Sequence, residues 1–121
     1  MLREIQPVAQ APGEPTRRWF QDEEFDLFVW QDDQGRIVRL QLAYDRRRFE
    51  RLLTWDEGRG YSHGGVDDGE RGPLTPKASP VLVADGQFDA ARIAARFRAA
   101  AGDLEPGLAG FVEERLRRAP I

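Results

Sequence analysis

The chain has 121 residues, of which 40% are hydrophobic and 32% charged, with a formal net charge of −3. That is enough apolar material for one core and too little net charge for a disordered chain. The acidic balance excludes the broad basic footprint of a nucleic-acid binder, and the lack of cysteine excludes disulfides, thiolate metal sites and cysteine nucleophiles.

Residues 1–16 carry Pro7, Pro12, Pro15 and Gly13 and read as an extended or flexible lead-in to a single domain over 17–121. Arg17 to Gln21, centred on Trp19-Phe20, reads as a first strand. From Glu24 to Gln31 the pattern has period two, with Phe25, Leu27 and Val29 on one side and Asp26, Phe28 and Trp30 on the other. Asp32-Asp33-Gln34-Gly35 is a turn sequence with a glycine for positive φ. Alternation resumes from Arg36 to Tyr44, with Val38, Leu40, Leu42 and Tyr44 against Ile37, Arg39, Gln41 and Ala43, so these two strands form a hairpin.

A charged turn, Asp45 to Arg48, leads to a strand over Phe49–Asp56, where adjacent Leu52 and Leu53 leave room for a bulge. Glu57 to Pro76 is rich in glycine and reads as irregular, with a short strand at Gly60–His63. Pro80–Ala84 is apolar throughout, as a strand buried on both faces would be. Two helices follow. Asp89 caps residues 90–101, which end at Gly102; Asp103 caps the second, with Pro106 in its first turn and Leu108, Phe111, Val112 and Leu116 as its stripe. Strands followed by helices predict an α+β fold: an antiparallel, curled sheet, a meander of about five to six strands, with two C-terminal helices packed on one face. The face made by Phe25, Leu27, Val29, Val38, Leu40 and Leu42 is the one the helices are expected to cover.

The opposite face mixes rings and charges where an exposed sheet face would be polar. Asp26, Phe28, Trp30, Arg39 and Gln41 lie there, with Ile37, and Trp55 is expected to join them. Flat apolar walls with a few orienting polar groups are how ligand clefts are lined. The plainer alternative is that the sheet curls, or is capped by residues 57–76, and buries these rings as a second core.

His63, the single histidine, is followed by Asp67, Asp68 and Glu70. A carboxylate such as Asp67 or Glu70 would let it serve as a general base. No established metal-ligand spacing is matched, so no metal site is read, and a histidine bonded to backbone or water is the plainer reading. Ser62 and Ser79 lie in no nucleophile motif, and no phosphate-binding glycine loop or cofactor motif is present. Of the 18 basic residues only Lys77 is a lysine, and the chain has no asparagine; coding bias explains this more simply than anion recognition. Arg115, Arg117 and Arg118 end the second helix, where cations complement its dipole.

Trp19-Phe20, Phe25-Asp26-Leu27, Trp30, Gln41-Leu42, Tyr44-Asp45, Leu53-Thr54-Trp55, Ser62-His63 and Pro80 to Gly86 together resemble a small bacterial family of uncharacterised proteins. The resemblance spans most of residues 17–86 and implies no activity, cofactor or catalytic residue. The leading expectation is a non-enzymatic domain that binds a small molecule or an acidic peptide through the mixed sheet face, with Arg39 as anion anchor. The alternatives are a small hydrolase- or isomerase-like enzyme with His63 as base, and a homodimeric structural protein. Residue types alone do not choose between enzyme and binder, nor set the oligomeric state. With no apolar signal core in residues 1–6 and no window near the roughly 18 apolar residues of a span, a cytoplasmic protein without membrane association is expected.

Overall fold

A computed structural model describes residues 1–6, 10, 12–45, 51–65, 79–80 and 88–120. Strands β1 (Arg3–Ile5), β2 (Thr16–Gln21), β3 (Asp26–Gln31), β4 (Ile37–Tyr44), β5 (Arg51–Asp56) and β6 (Gly60–Gly65) form an antiparallel meander. A two-residue strand, β7 (Ser79–Pro80), adds to the β6 edge. The sheet does not close into a barrel. Helices α1 (Ala90–Ala100) and α2 (Pro106–Arg117) complete the α+β fold.

Aspartates shape the turns. Asp22 Oδ1 accepts from the backbone N–H groups of Glu24 and Phe25, and Asp32 Oδ1 from those of Gln34 and Arg36. Asp56 Oδ1 does the same for Gly58 and Arg59. Each carboxylate satisfies donors that the departing strand leaves open. Gly35 and Gly60 close two of these turns at φ +83 and +82, a region that disfavours a Cβ.

The β3–β4 hairpin departs from simple alternation. Trp30 pairs with Arg39 but Gln31 pairs with Ile37, so Val38 is an extra residue in a bulge. The shift turns Ile37 into the helix-covered core and leaves Val38 only half-buried, the reverse of the assignment by parity. The rest of that face is as expected. Phe25, Leu27, Val29, Leu40 and Leu42 are buried with Ile93, Phe97, Leu108, Val112 and Leu116 of the helices. Phe25 meets Phe97 edge-on at 6.2 Å.

Two other readings are corrected. Within the expected lead-in, Arg3–Ile5 pairs with Trp19–Gln21, and Leu2 is fully buried, its N–H donating to the Ala100 carbonyl at 2.8 Å. Asp89 caps α1 by accepting from Arg92 N, but Asp103 does not cap α2. Pro106 takes the first helical position and so makes Glu105 the N-cap, whose carboxylate reaches Arg18 instead. Residues 46–50 after Asp45 and most of residues 66–87, including 81–84 of the strand expected at Pro80–Ala84, lie outside the described residues.

Candidate functional site

The register decides which side chains share a face. On the side away from the helices, Trp19 stacks on Phe28 with centroids 5.5 Å apart, and Phe28 leans on Trp30 at 6.3 Å. Arg39 lies over the Trp30 ring at 4.8 Å. Asp26 Oδ1 accepts from Trp19 Nε1 and Gln21 Nε2, both at 2.9 Å, so its charge is spent holding β2 to β3. Asp26, Phe28, Trp30, Arg39 and Gln41 are therefore on one face, as the alternation predicts.

That face is not an open platform. Phe28 and Trp30 are each only 8% exposed, and Ala43 and Leu52 beside them are buried. The sheet carries apolar rows on both sides, which is the signature of burial on both sides. The second-core alternative describes these rings better than a solvent-facing wall does.

Trp55 is on the other side. It pairs with Leu40, and Leu40 faces the helices, so Trp55 packs edge-on to Phe111 of α2 at 5.6 Å. The parity of β5 was ambiguous at Leu52-Leu53, and this ambiguity misplaced the ring. His63 is also not a loop residue. It pairs with Leu53 inside β6, is 1% exposed, and its Nε2 shares a 2.5 Å hydrogen bond with the Tyr44 hydroxyl. Its ring lies between Tyr44 and Phe88. Asp67 and Glu70, its expected partners, lie outside the described residues.

An open cleft of about 500 Å³ lies where the β3–β4 turn and β5 meet α2. Ile37 and Leu108 contribute apolar surface, Trp55 and Phe111 contribute rings, and Arg115 contributes the cation. The bulge at Val38 is what brings Ile37 here. One turn of helix separates Phe111 from Arg115, so both face β5. The Arg115 guanidinium sits 4.4 Å from the Phe111 centroid and 4.9 Å from that of Trp55. Its Nε is buried and has no hydrogen-bond partner among the described residues. The Arg115 carbonyl accepts from the Tyr61 hydroxyl at 2.7 Å, which ties α2 to β6, and burial raises the pKa of that phenol.

Charge around the cleft is mostly neutralised. Arg36 pairs with Asp32 at 3.1 Å and Glu57 at 3.3 Å, and the hydrogen bond to Asp32 leads in raising its pKa. Glu105 is held by Arg18. Arg115 has one looser contact, 3.6 Å to the exposed Glu114. No protein-family model, curated protein or solved structure matches this chain. The function must be argued from its own geometry.

Phe111 and Arg115 were absent from the sequence-based site. Their spacing of four was visible, but a helical aromatic next to a terminal arginine reads as stripe and dipole complement until the facing strand is known. Among the described residues no group of three or more histidine or acidic side chains is placed to hold a metal, and no helix is long and apolar enough to cross a membrane.

Proposed function

We propose that this domain is a non-enzymatic binder of a small organic anion with a flat apolar body, held in the cleft between β4, β5 and α2. The observation that carries this reading is Arg115: a guanidinium held against two aromatic rings at the wall of a cleft, with a buried N–H that no acceptor meets. Stacking occupies the faces of the guanidinium and leaves its N–H edge for an acceptor, while Trp55, Phe111, Ile37 and Leu108 offer apolar contact to the body of the ligand. The volume falls in the range of small-molecule sites, roughly 300–1,000 Å³. His63 does not line the cleft, and its burial among Tyr44 and Phe88 gives the enzymatic alternative no support.

Naphthalene-2-carboxylate tests the reading. Titration followed by amide and aromatic NMR is expected to shift Trp55, Leu108 and Phe111 saturably, with the neutral 2-naphthamide binding more weakly. Arg115→Gln keeps the backbone carbonyl that Tyr61 uses, and is expected to weaken binding at least about tenfold, the scale of one charge-assisted hydrogen bond. Unchanged affinity in that variant, or no saturable shift at these residues, overturns the assignment.

A further inference from the structure

The cleft follows α2, and α2 runs across the strands. Glu105, just before its first residue, is paired with Arg18 of β2, and the Arg115 carbonyl near its end accepts from Tyr61 of β6. Between these ties Gly107, Leu108, Phe111 and Arg115 all line the cleft, which therefore extends from the first turn of the helix to the last. Gly107, Phe111 and Arg115 are spaced by four and share one helix face. From Gly107 to Arg115 the helix rises about 12 Å. Arg115, with the rings of Phe111 and Trp55, fills one end of this stripe. The other end is bare. Gly107 has no side chain, and a Cβ placed there would meet no atom of the described residues within 4 Å.

We propose that the cleft takes an elongated aromatic carboxylate, two linked rings rather than one, and that Gly107 sets the length it accepts. This rests on Arg115 as the anion anchor. With the carboxylate at Arg115, the first ring lies beside Phe111 and Trp55, and the second reaches Leu108, Ile37 and the open place at Gly107. Two para-linked rings with a terminal carboxylate come close to the rise of this stripe, whereas a single ring ends at Phe111. Glycine is a poor helix former, so alanine would favour α2 but would put a methyl group where the second ring lies. Gly110 is equally open but does not line the cleft. It therefore separates the two consequences of a glycine in this helix, a weaker helix and room for a ligand.

Benzoate and biphenyl-4-carboxylate, compared by NMR titration, are the probes. In wild type both are expected to shift the Arg115 Nε–H cross-peak saturably, and only biphenyl-4-carboxylate the Gly107 and Leu108 amides. Burial of its second ring should lower Kd at least about tenfold relative to benzoate. Gly107→Leu is expected to remove that preference and leave benzoate affinity unchanged, with Gly107→Ala retaining part of it and Gly110→Leu all of it. Equal wild-type affinities for the two probes, or a preference that survives Gly107→Leu, would overturn the length assignment and leave the Arg115 anchor standing. No saturable shift with either probe would overturn the anchor, and the length assignment with it.

Discussion

Arg18 links three parts of the chain. It grips Glu4 with two hydrogen bonds, at 2.8 and 2.9 Å, and reaches Glu105 at 3.1 Å, so β2 is joined to β1 and to the cap of α2. The hydrogen bond from Arg18 holds the Glu4 carboxyl below its ordinary pKa of 4.5. A depressed carboxylate stabilises the fold above its unfolded pKa and loses that contribution as pH falls through the folded value. Glu4→Gln is therefore expected to lower Tm at pH 7 by about 2–4 °C, consistent with a partly exposed pair, and the deficit should shrink as the pH falls below the ordinary carboxyl value of 4.5. Thermal melts across pH 3–7 measure both. At this scale the sequence was a partial guide. Asp26, Phe28, Trp30, Arg39 and Gln41 were placed on one face because period two is all that such an assignment needs. Trp55 was not, because Leu52-Leu53 fits either parity. His63 was read as bonded to backbone or water, because nothing local to it reveals the rings of Tyr44 and Phe88 that enclose it.

Strands and helices were legible where their ends carry chemistry. Asp32 and Gly35 mark the β3–β4 turn, and Asp89 marks α1, because side-chain oxygens and a glycine act within a few residues of themselves. The bulge at Val38 was not legible: Ile37 and Val38 are equally apolar, and only pairing with β3 distinguishes them. The same limit hid the cap of α2, where Pro106 outranks Asp103. These elements have measurable weights. Gly35→Ala meets no atom within 4 Å, so its cost is backbone strain alone, about 1 kcal/mol. Asp32→Ala removes two hydrogen bonds to the turn backbone and the contact to Arg36, and is expected to cost about 1–2 kcal/mol. Urea denaturation of both variants, with an unchanged m value, checks these figures.

The whole molecule is a sheet with helices on one side and an apolar row on the other. Segregation of strands and helices along the chain made the α+β class readable. What covers the second side depends on contacts between distant residues, which no local pattern reports. Leu2 is the clearest case, fully buried at the helix-covered core from a segment read as a lead-in. Leu2→Ala is expected to cost about 2–5 kcal/mol, as in other cores, against almost nothing for a true tail residue. Chemical denaturation separates these outcomes. The order β1 to β7 is also the order of the chain, so every strand pairs with its neighbour in sequence. Such local pairing closes short loops first and shortens the search for the native state. The β3–β4 hairpin, with its fixed turn, is then the natural nucleus: Leu42→Ala should slow refolding, whereas Leu116→Ala in α2 should mainly hasten unfolding.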